Sequence, residues 1–317
     1  MGFRLDDYID GDVAYLAGLI VGRGTLSESE AVRSLTIQFP HTSLEMEGVS
    51  STFDQQTAIQ LGLMEVRERL LELLATDIQI VTKDTSVDFV IRFLRQSMVW
   101  RNLLLLTGGA MSYEHFRVPE VFFDEKIPRD WKREFVRGYA DVAGNIRRAN
   151  RYIDGRNRVR LDVLNHRTNW EVPVQLCRLL QEELEVPVQL ITWGHPNLGR
   201  GFREHQINIF ATEFLEVGFG FNHKQTLLEE FVDADVRSGR AAECRVCPGR
   251  REVRGSKPAD EDESNGAKLD ERLVGNHFDA YWQICKALGC TRTPTPDEQM
   301  SLEFVDEAEP DTDEGTE

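Results

Sequence analysis

Cys244-x-x-Cys247 and Cys285-x4-Cys290 are two thiol pairs flanking a stretch that is poor in apolar residues. Two thiolate pairs can close a tetrahedral structural zinc site, and such a site supplies folding energy that a segment with a thin core lacks. His277, two helical turns before Cys285, is the substitute ligand if Cys290 is not used. A redox Cys-x-x-Cys and unpaired buried thiols are the other readings, because the second pair is not spaced as in a zinc ribbon. Cys177, the fifth cysteine, falls inside an amphipathic helix pattern and reads as core.

A second chemistry lies between residues 147 and 167. Arg147, Arg148, Arg151, Arg156, Arg158, Arg160 and Arg167 are opposed there only by Asp154 and Asp162. Asp154-Gly155 is a two-residue turn signal, so the stretch from Asn145 to Asn165 reads as a hairpin. In the return strand Arg156, Arg158 and Arg160 alternate with Val159, Leu161 and Val163, which gives a cationic face and an apolar one. A two-stranded ribbon of this kind fits a major groove, where arginine pairs bidentately with guanine. The plain alternative is a solvated strand face neutralised by nearby acids.

The net charge of −17 argues at first against a nucleic-acid partner. The composition weakens that objection, since 7 lysines stand against 30 arginines. An acidic surface poor in lysine suits concentrated salt, where a Debye length of ~3 Å at 1 M removes long-range repulsion. A GC-rich genome would also favour arginine over lysine. No apolar run approaches the ~20 residues of a membrane span, and no basic-then-apolar leader is present, so the expectation is a cytoplasmic protein with reduced thiols and no membrane partner.

These residues need elements to hold them. A helix over 12–21, with Asp12 as cap, precedes a strand at 34–39. A long amphipathic helix follows at 54–74, with Ile59, Leu63, Val66, Leu70 and Leu73 at helical spacing. Strands at 78–81 and 87–93 come next, then an apolar helix from Met98 that stops at Gly108-Gly109. The order then recurs: a helix at 130–144, the arginine hairpin, a helix at 169–186 capped by Asn169, strands at 188–193 and 205–211, and a helix at 222–232. The plan is α-β-β-α-β-β-α written twice, an α+β fold. Expected boundaries are a first half at 1–120, a second at 121–236, a linker and zinc module at 237–293, and an acidic disordered tail at 294–317.

Glycine costs a helix about 1 kcal/mol relative to alanine, and close approach of another backbone is the usual compensation. Ala14, Gly18 and Gly22 form one narrow face of the first helix. Gly138 stands to Gly144 in the second as Gly18 stands to Gly24 in the first. Two such helices are expected to pack together along a pseudo-twofold axis.

At this point the residues resemble a known family. Leu16-Ala17-Gly18-Leu19-Ile20, followed by Gly24, is similar to the signature of LAGLIDADG homing endonucleases. Arg137-Gly138-Tyr139-Ala140-Asp141-Val142-Ala143-Gly144, preceded by Glu134-Phe135, resembles the second copy in single-chain members. The likeness covers roughly residues 10–230. It implies two αββαββα halves joined by the motif helices, with the two sheets forming a saddle over duplex DNA.

The resemblance also implies a divalent-metal site, because the last acid of each motif helps hold Mg²⁺ at the scissile phosphate in active members. Here the matching positions are Arg23 and Ala143, and a hard cation needs oxygen ligands. Asp141 matches the earlier, mainly structural acid and is catalytic only if the chain cleaves. Asp12, Glu28 and Glu30 are the other acids able to supply a displaced site, and no two of them are symmetric. Arg23 is expected either beneath a DNA phosphate or as an exposed helix-end arginine.

The function expected is therefore a sequence-specific duplex-DNA-binding protein that has lost cleavage, with a regulatory role, as in bacterial sporulation regulators that carry a cleavage-dead domain of this type. The rivals are a working endonuclease that uses Mg²⁺ at a displaced site, and a maturase-like cofactor that binds structured RNA. The first half's counterpart of the hairpin, around 27–43, is far less basic, so the two half-sites would be read unequally. The pseudo-dimer lies within one chain, and a monomer is expected.

Overall fold

The computed structural model describes residues 9–30, 32–45, 55–148, 157–164, 171–188, 190–196 and 203–238. Cys244, Cys247, His277, Cys285 and Cys290 lie outside these, as do Arg151, Arg156 and Arg167 and the acidic tail. Among the described residues no helix is long and apolar enough to cross a membrane.

Helix α1 spans Gly11–Arg23. Its cap is Asp10 rather than Asp12: the Asp10 side chain accepts from the backbone N–H of Asp12 (2.9 Å) and Val13 (2.8 Å). Asp12 sits in the first turn, and its carboxylate pairs with Arg69 at 2.7 Å. Strand β1 (Gly24–Glu28) follows without a loop and pairs with β2 (Arg33–Pro40). The expectation for this region contained β2 alone, because β1 is short and lacks clean apolar alternation.

After β2 come a single turn, α2 (His41–Leu44), and the long α3 (Gln55–Leu74). Strands β3 (Ile78–Thr82) and β4 (Ser86–Phe93) complete an antiparallel sheet in the order β1-β2-β4-β3. Helix α4 (Met98–Leu106) ends where Gly108 and Gly109 take positive φ, a conformation that side chains disfavour.

Helix α5 (Arg129–Ala143) leads straight into β5 (Gly144–Arg147), which pairs with β6 (Arg158–Leu164). Helix α6 (Glu171–Arg178) continues into a π-helical turn over Leu179–Glu183. Strands β7 (Leu190–Pro196) and β8 (Arg203–Phe210) follow, then a single turn α7 (Ala211–Phe214) and α8 (Asn222–Arg237). The second sheet has the order β5-β6-β8-β7, again antiparallel throughout.

The two sheets meet through α1 and α5. A Cβ on Gly18 would collide with the Phe135 carbonyl and lie 2.7 Å from the Tyr139 nitrogen. A Cβ on Gly138 would collide with the Tyr15 carbonyl and lie 3.2 Å from the Leu19 nitrogen. Each glycine thus admits the other helix's backbone, which gives the cost of glycine in a helix its return. The surrounding core is one apolar cluster that includes Leu16, Ile20, Phe39, Phe89, Phe135, Val142, Leu161, Ile207 and Leu228. Arg137 fastens α5 further by donating two bonds, at 2.8 and 3.0 Å, to the Val217 carbonyl.

Candidate functional site: the feet of the glycine helices and the arginine face

The C-terminal ends of α1 and α5, their feet, are where a metal site is expected. Arg23 is not exposed; only 5% of its surface is accessible. Its Nη1 turns back to donate to the Gly22 carbonyl at 2.9 Å, and its guanidinium lies 5.9 Å from the centre of the Tyr113 ring. The chain around residues 111–113 runs beside β1 here: Tyr113 N–H donates to the Gly24 carbonyl (2.9 Å) and Leu26 N–H to the Met111 carbonyl (2.6 Å). This burial corrects the expectation of an exposed helix-end arginine, while the negative end of the helix dipole still suits the charge there.

At the foot of α5, Ala143 is buried and brings no ligand. Asp141 is fully buried with both carboxylate oxygens engaged. The Tyr15 hydroxyl donates to Oδ2 at 2.6 Å. Gly220 N–H donates to Oδ2 at 3.0 Å and Oδ1 at 3.1 Å, and Phe221 N–H approaches Oδ1 at 3.4 Å. Burial pushes this carboxyl above the usual carboxylate range, against the attraction of Lys224 and the donated bonds. Burial, with Asp141 beside it, also raises the Tyr15 hydroxyl well above its ordinary value, so Tyr15 remains a donor. Asp141 therefore ties α1, α5 and the turn before α8 together.

Lys224, the third residue of α8, was not anticipated. Its side chain is fully buried, and its Nζ donates to the carbonyls of Asp141 (2.8 Å) and Gly144 (3.1 Å) and to Ser43 Oγ (3.0 Å). The Ala140 carbonyl lies at 3.4 Å, and the rings of Phe219 and Phe221 stand 5.3 and 5.8 Å away. Burial pulls the ammonium's pKa down, Asp141 opposes that shift and Arg23 adds to it. A signal was present in the sequence, because Lys224, Leu228, Phe231 and Asp235 share one helical stripe that the structure buries.

The divalent ion that the sequence resemblance implies does not fit these residues. No carboxylate stands at position 23 or 143, the Asp141 oxygens are committed, and two protein cations face the helix-end carbonyls. The other acids are no nearer a rescue: Asp12 is at the opposite end of α1, Glu28 pairs with Arg33 at 2.6 Å, and Glu30 is exposed beyond β1. Among the described residues no group of three or more His, Cys, Asp or Glu is placed to hold a metal.

The second sheet carries the arginine face. Cross-strand partners share a face, and the register places Arg147 opposite Arg158, Asn145 opposite Arg160, Asn208 opposite Arg160 and Gln206 opposite Asp162. Ile146, Val159, Leu161, Val163, Ile207 and Ile209 are buried on the other face. Arg148, just past β5, is exposed. Asp162, one of the two acids set against the arginines in the sequence, pairs with Arg160: Nε lies 2.8 Å and Nη2 3.0 Å from its carboxylate. Residues two apart on a strand point the same way, so this pairing follows from the alternation itself. Asn145 Nδ2 donates to the same carboxylate at 3.1 Å. In the first sheet the matching face carries Thr25, Ser34, Thr36 and Gln38, with Arg92 and Asp88 of β4 opposite Ser34 and Gln38, so a single arginine stands there.

No protein-family profile matches this chain, and no curated protein matches it significantly. Among solved structures it is similar to I-DmoI in complex with DNA and Mn, with 16% identity and a TM-score of 0.37 over 68% of this chain and 96% of that one. It is also similar to full-length DUF199/WhiA from Thermatoga maritima, with 13% identity and a TM-score of 0.42 over 91% and 92% of the two chains. A third likeness is to the N-terminal LAGLIDADG domain of DUF199/WhiA, with 11% identity and a TM-score of 0.35 over 77% and 86%. These are likenesses to LAGLIDADG proteins at the level of fold, and at such scores they carry nothing about activity. The architecture rests on the strand order, register and glycine seam described above.

Proposed function

We propose that this chain is a sequence-specific duplex-DNA-binding protein of LAGLIDADG-like architecture that does not cleave its target. In this reading residues 1–120 and 121–236 are related halves about a pseudo-twofold axis along the α1–α5 seam, and their sheets form a saddle. The observation that carries it is the face of β5, β6 and β8, where Arg147, Arg158 and Arg160 stand among Asn145, Gln206 and Asn208. Arginine reads base edges bidentately, a sheet face backed by a rigid core holds the three partly exposed arginines in register, and the amides among them are buried. Because the first sheet's face carries the single arginine Arg92 among hydroxyls and Gln38, the two half-sites are read unequally. Loss of cleavage is supported by Arg23, Ala143 and Lys224, which leave the helix feet cationic. The four cysteines Cys244, Cys247, Cys285 and Cys290 are proposed to hold a structural zinc ion.

Binding-site selection from random duplex DNA, carried out in EDTA at low and high salt, tests this reading. A defined, asymmetric site is expected, with no nicking of that site when Mg²⁺ or Mn²⁺ is restored. Changing Arg158 to Gln should relax preference at one position by ~1–3 kcal/mol if it reads a base. If it contacts a phosphate, it should instead flatten the salt slope by ~0.9. Reproducible Mg²⁺-dependent cutting would give the endonuclease reading its place, and tighter binding to folded RNA would favour the maturase.

A further inference from the structure

We propose that Arg23 and Lys224 are resident cations of the two helix feet, each taking by covalent attachment the place that a bound ion would otherwise fill. The proposal deepens the non-cleaving reading above and rests on it for its functional meaning, but its geometry stands alone.

The end of a helix leaves carbonyls unpaired, and the summed dipole makes that end negative. Two such ends lie side by side here because α1 and α5 run together and both stop at a glycine, Gly24 and Gly144. At α1 the Arg23 guanidinium covers the Gly22 carbonyl. At α5 the task falls to a residue from another element. Lys224 brings one ammonium among three backbone carbonyls and the Ser43 hydroxyl, which itself donates to the Gly144 carbonyl at 3.1 Å. A ring of oxygens around a single buried charge is the surrounding a protein gives a cation.

Lys224 gains nothing from its own helix in this position. It lies in the first turn of α8, where a positive charge meets the wrong end of the dipole. Nor is it paired with a carboxylate: its close oxygens are carbonyls and a hydroxyl, and Asp141 acts on it through space. What holds the ammonium is the foot of α5. The consequence is that the oxygens nearest positions 143 and 144 are already turned to a fixed charge and are closed to a divalent metal.

Ammonium rescue tests this directly. In Lys224→Ala, the urea midpoint should rise in NH₄⁺ relative to tetramethylammonium at equal ionic strength, while the wild type should not distinguish the two. Equal midpoints for the variant in both salts would overturn the proposal. Lys224→Met keeps the volume without the charge. A large fall in its midpoint is expected, and wild-type stability would mean that the aliphatic stem alone explains the residue. A third measurement needs no variant: one equivalent of Mn²⁺ should leave the amide resonances of Gly24 and Gly144 sharp. Paramagnetic broadening centred on them would place a metal at the feet and overturn the proposal. DNA binding in EDTA is read separately, so its loss would sink the DNA-binding reading and leave this one standing.

Discussion

Arg23, Asp141, His223 and Lys224 are buried where α1, α5 and α8 meet. His223 precedes Lys224, and its Nε2 donates to the Leu44 carbonyl at 3.1 Å. Burial and the neighbouring ammonium push its pKa down to about 4, against the pull of that bond. In the unfolded chain the imidazole takes its proton near its ordinary value of ~6.5, so between pH 6.5 and 4 the unfolded state binds more protons than the folded one. Stability tied to His223 is therefore present above pH 6.5 and is lost as pH falls toward 4. Asp141 acts oppositely, because its raised pKa favours the folded state as it protonates. Replacing His223 by Gln should cost stability at pH 7 and lose that disadvantage in acid, with the gap to wild type narrowing by roughly 2 kcal/mol at pH 5. Urea midpoints for the two proteins at pH 7 and pH 5 check this, and a gap that is constant with pH would mean that the fold leaves the His223 pKa at its unfolded value.

The seam between α1 and α5 sets the behaviour of the elements. Gly18→Ala and Gly138→Ala each put a methyl group against the backbone of the opposite helix, so the helices must separate or the chain must bend. Each change is expected to destabilise by about 1–3 kcal/mol or more, despite alanine's better helix propensity. The two should not add, since the first separation relieves the second clash. Gly11→Ala is the control: its Cβ would meet Trp131 and Glu134 at ordinary contact distances of 3.7 and 3.8 Å, so no loss is expected there. Thermal unfolding of all four variants decides between a backbone seam and incidental glycines. The second sheet shows a different constraint. Asp162 orients Arg160 from two residues away, which restricts the arginine's reach toward a ligand.

At the scale of the whole molecule, a basic sheet face belongs to a chain whose net charge is −17. Contact with a polyanion then depends on local charge and on salt more than on the total. The proposed zinc module gives a further check. Elemental analysis of the full chain should find about one Zn per molecule. Cys247→Ser should lose the metal while residues 9–238 keep their melting transition. A metal-free native protein would remove zinc from the account.

Much of this was legible along the chain, wherever the signal was local and periodic. The glycines of α1 and α5 declared a close helix contact through their spacing, because only a missing side chain on one face serves that purpose. Alternation placed Arg158 and Arg160 on the face opposite Val159 and Leu161, since successive strand residues point to opposite sides. Periodicity also marked α3, although its ends shifted the buried set to Gly62, Leu63, Val66, Leu70 and Leu74. Strand β1 was missed because only Leu26 within it is an apolar side chain buried in the core. The arrangement at the helix feet was not legible. Tyr15 meets Asp141 across 126 residues, and Lys224 meets Ser43 across 181. Nothing in a linear sequence joins partners so far apart, and the stripe that Lys224 shares with Leu228 and Phe231 marks its direction without naming what it meets. That no carboxylate stands at positions 23 and 143 is legible in the chain alone. That a lysine from α8 fills the foot of α5 depends on packing, because the carbonyls that draw in Lys224 converge only when α5, α2 and α8 come together.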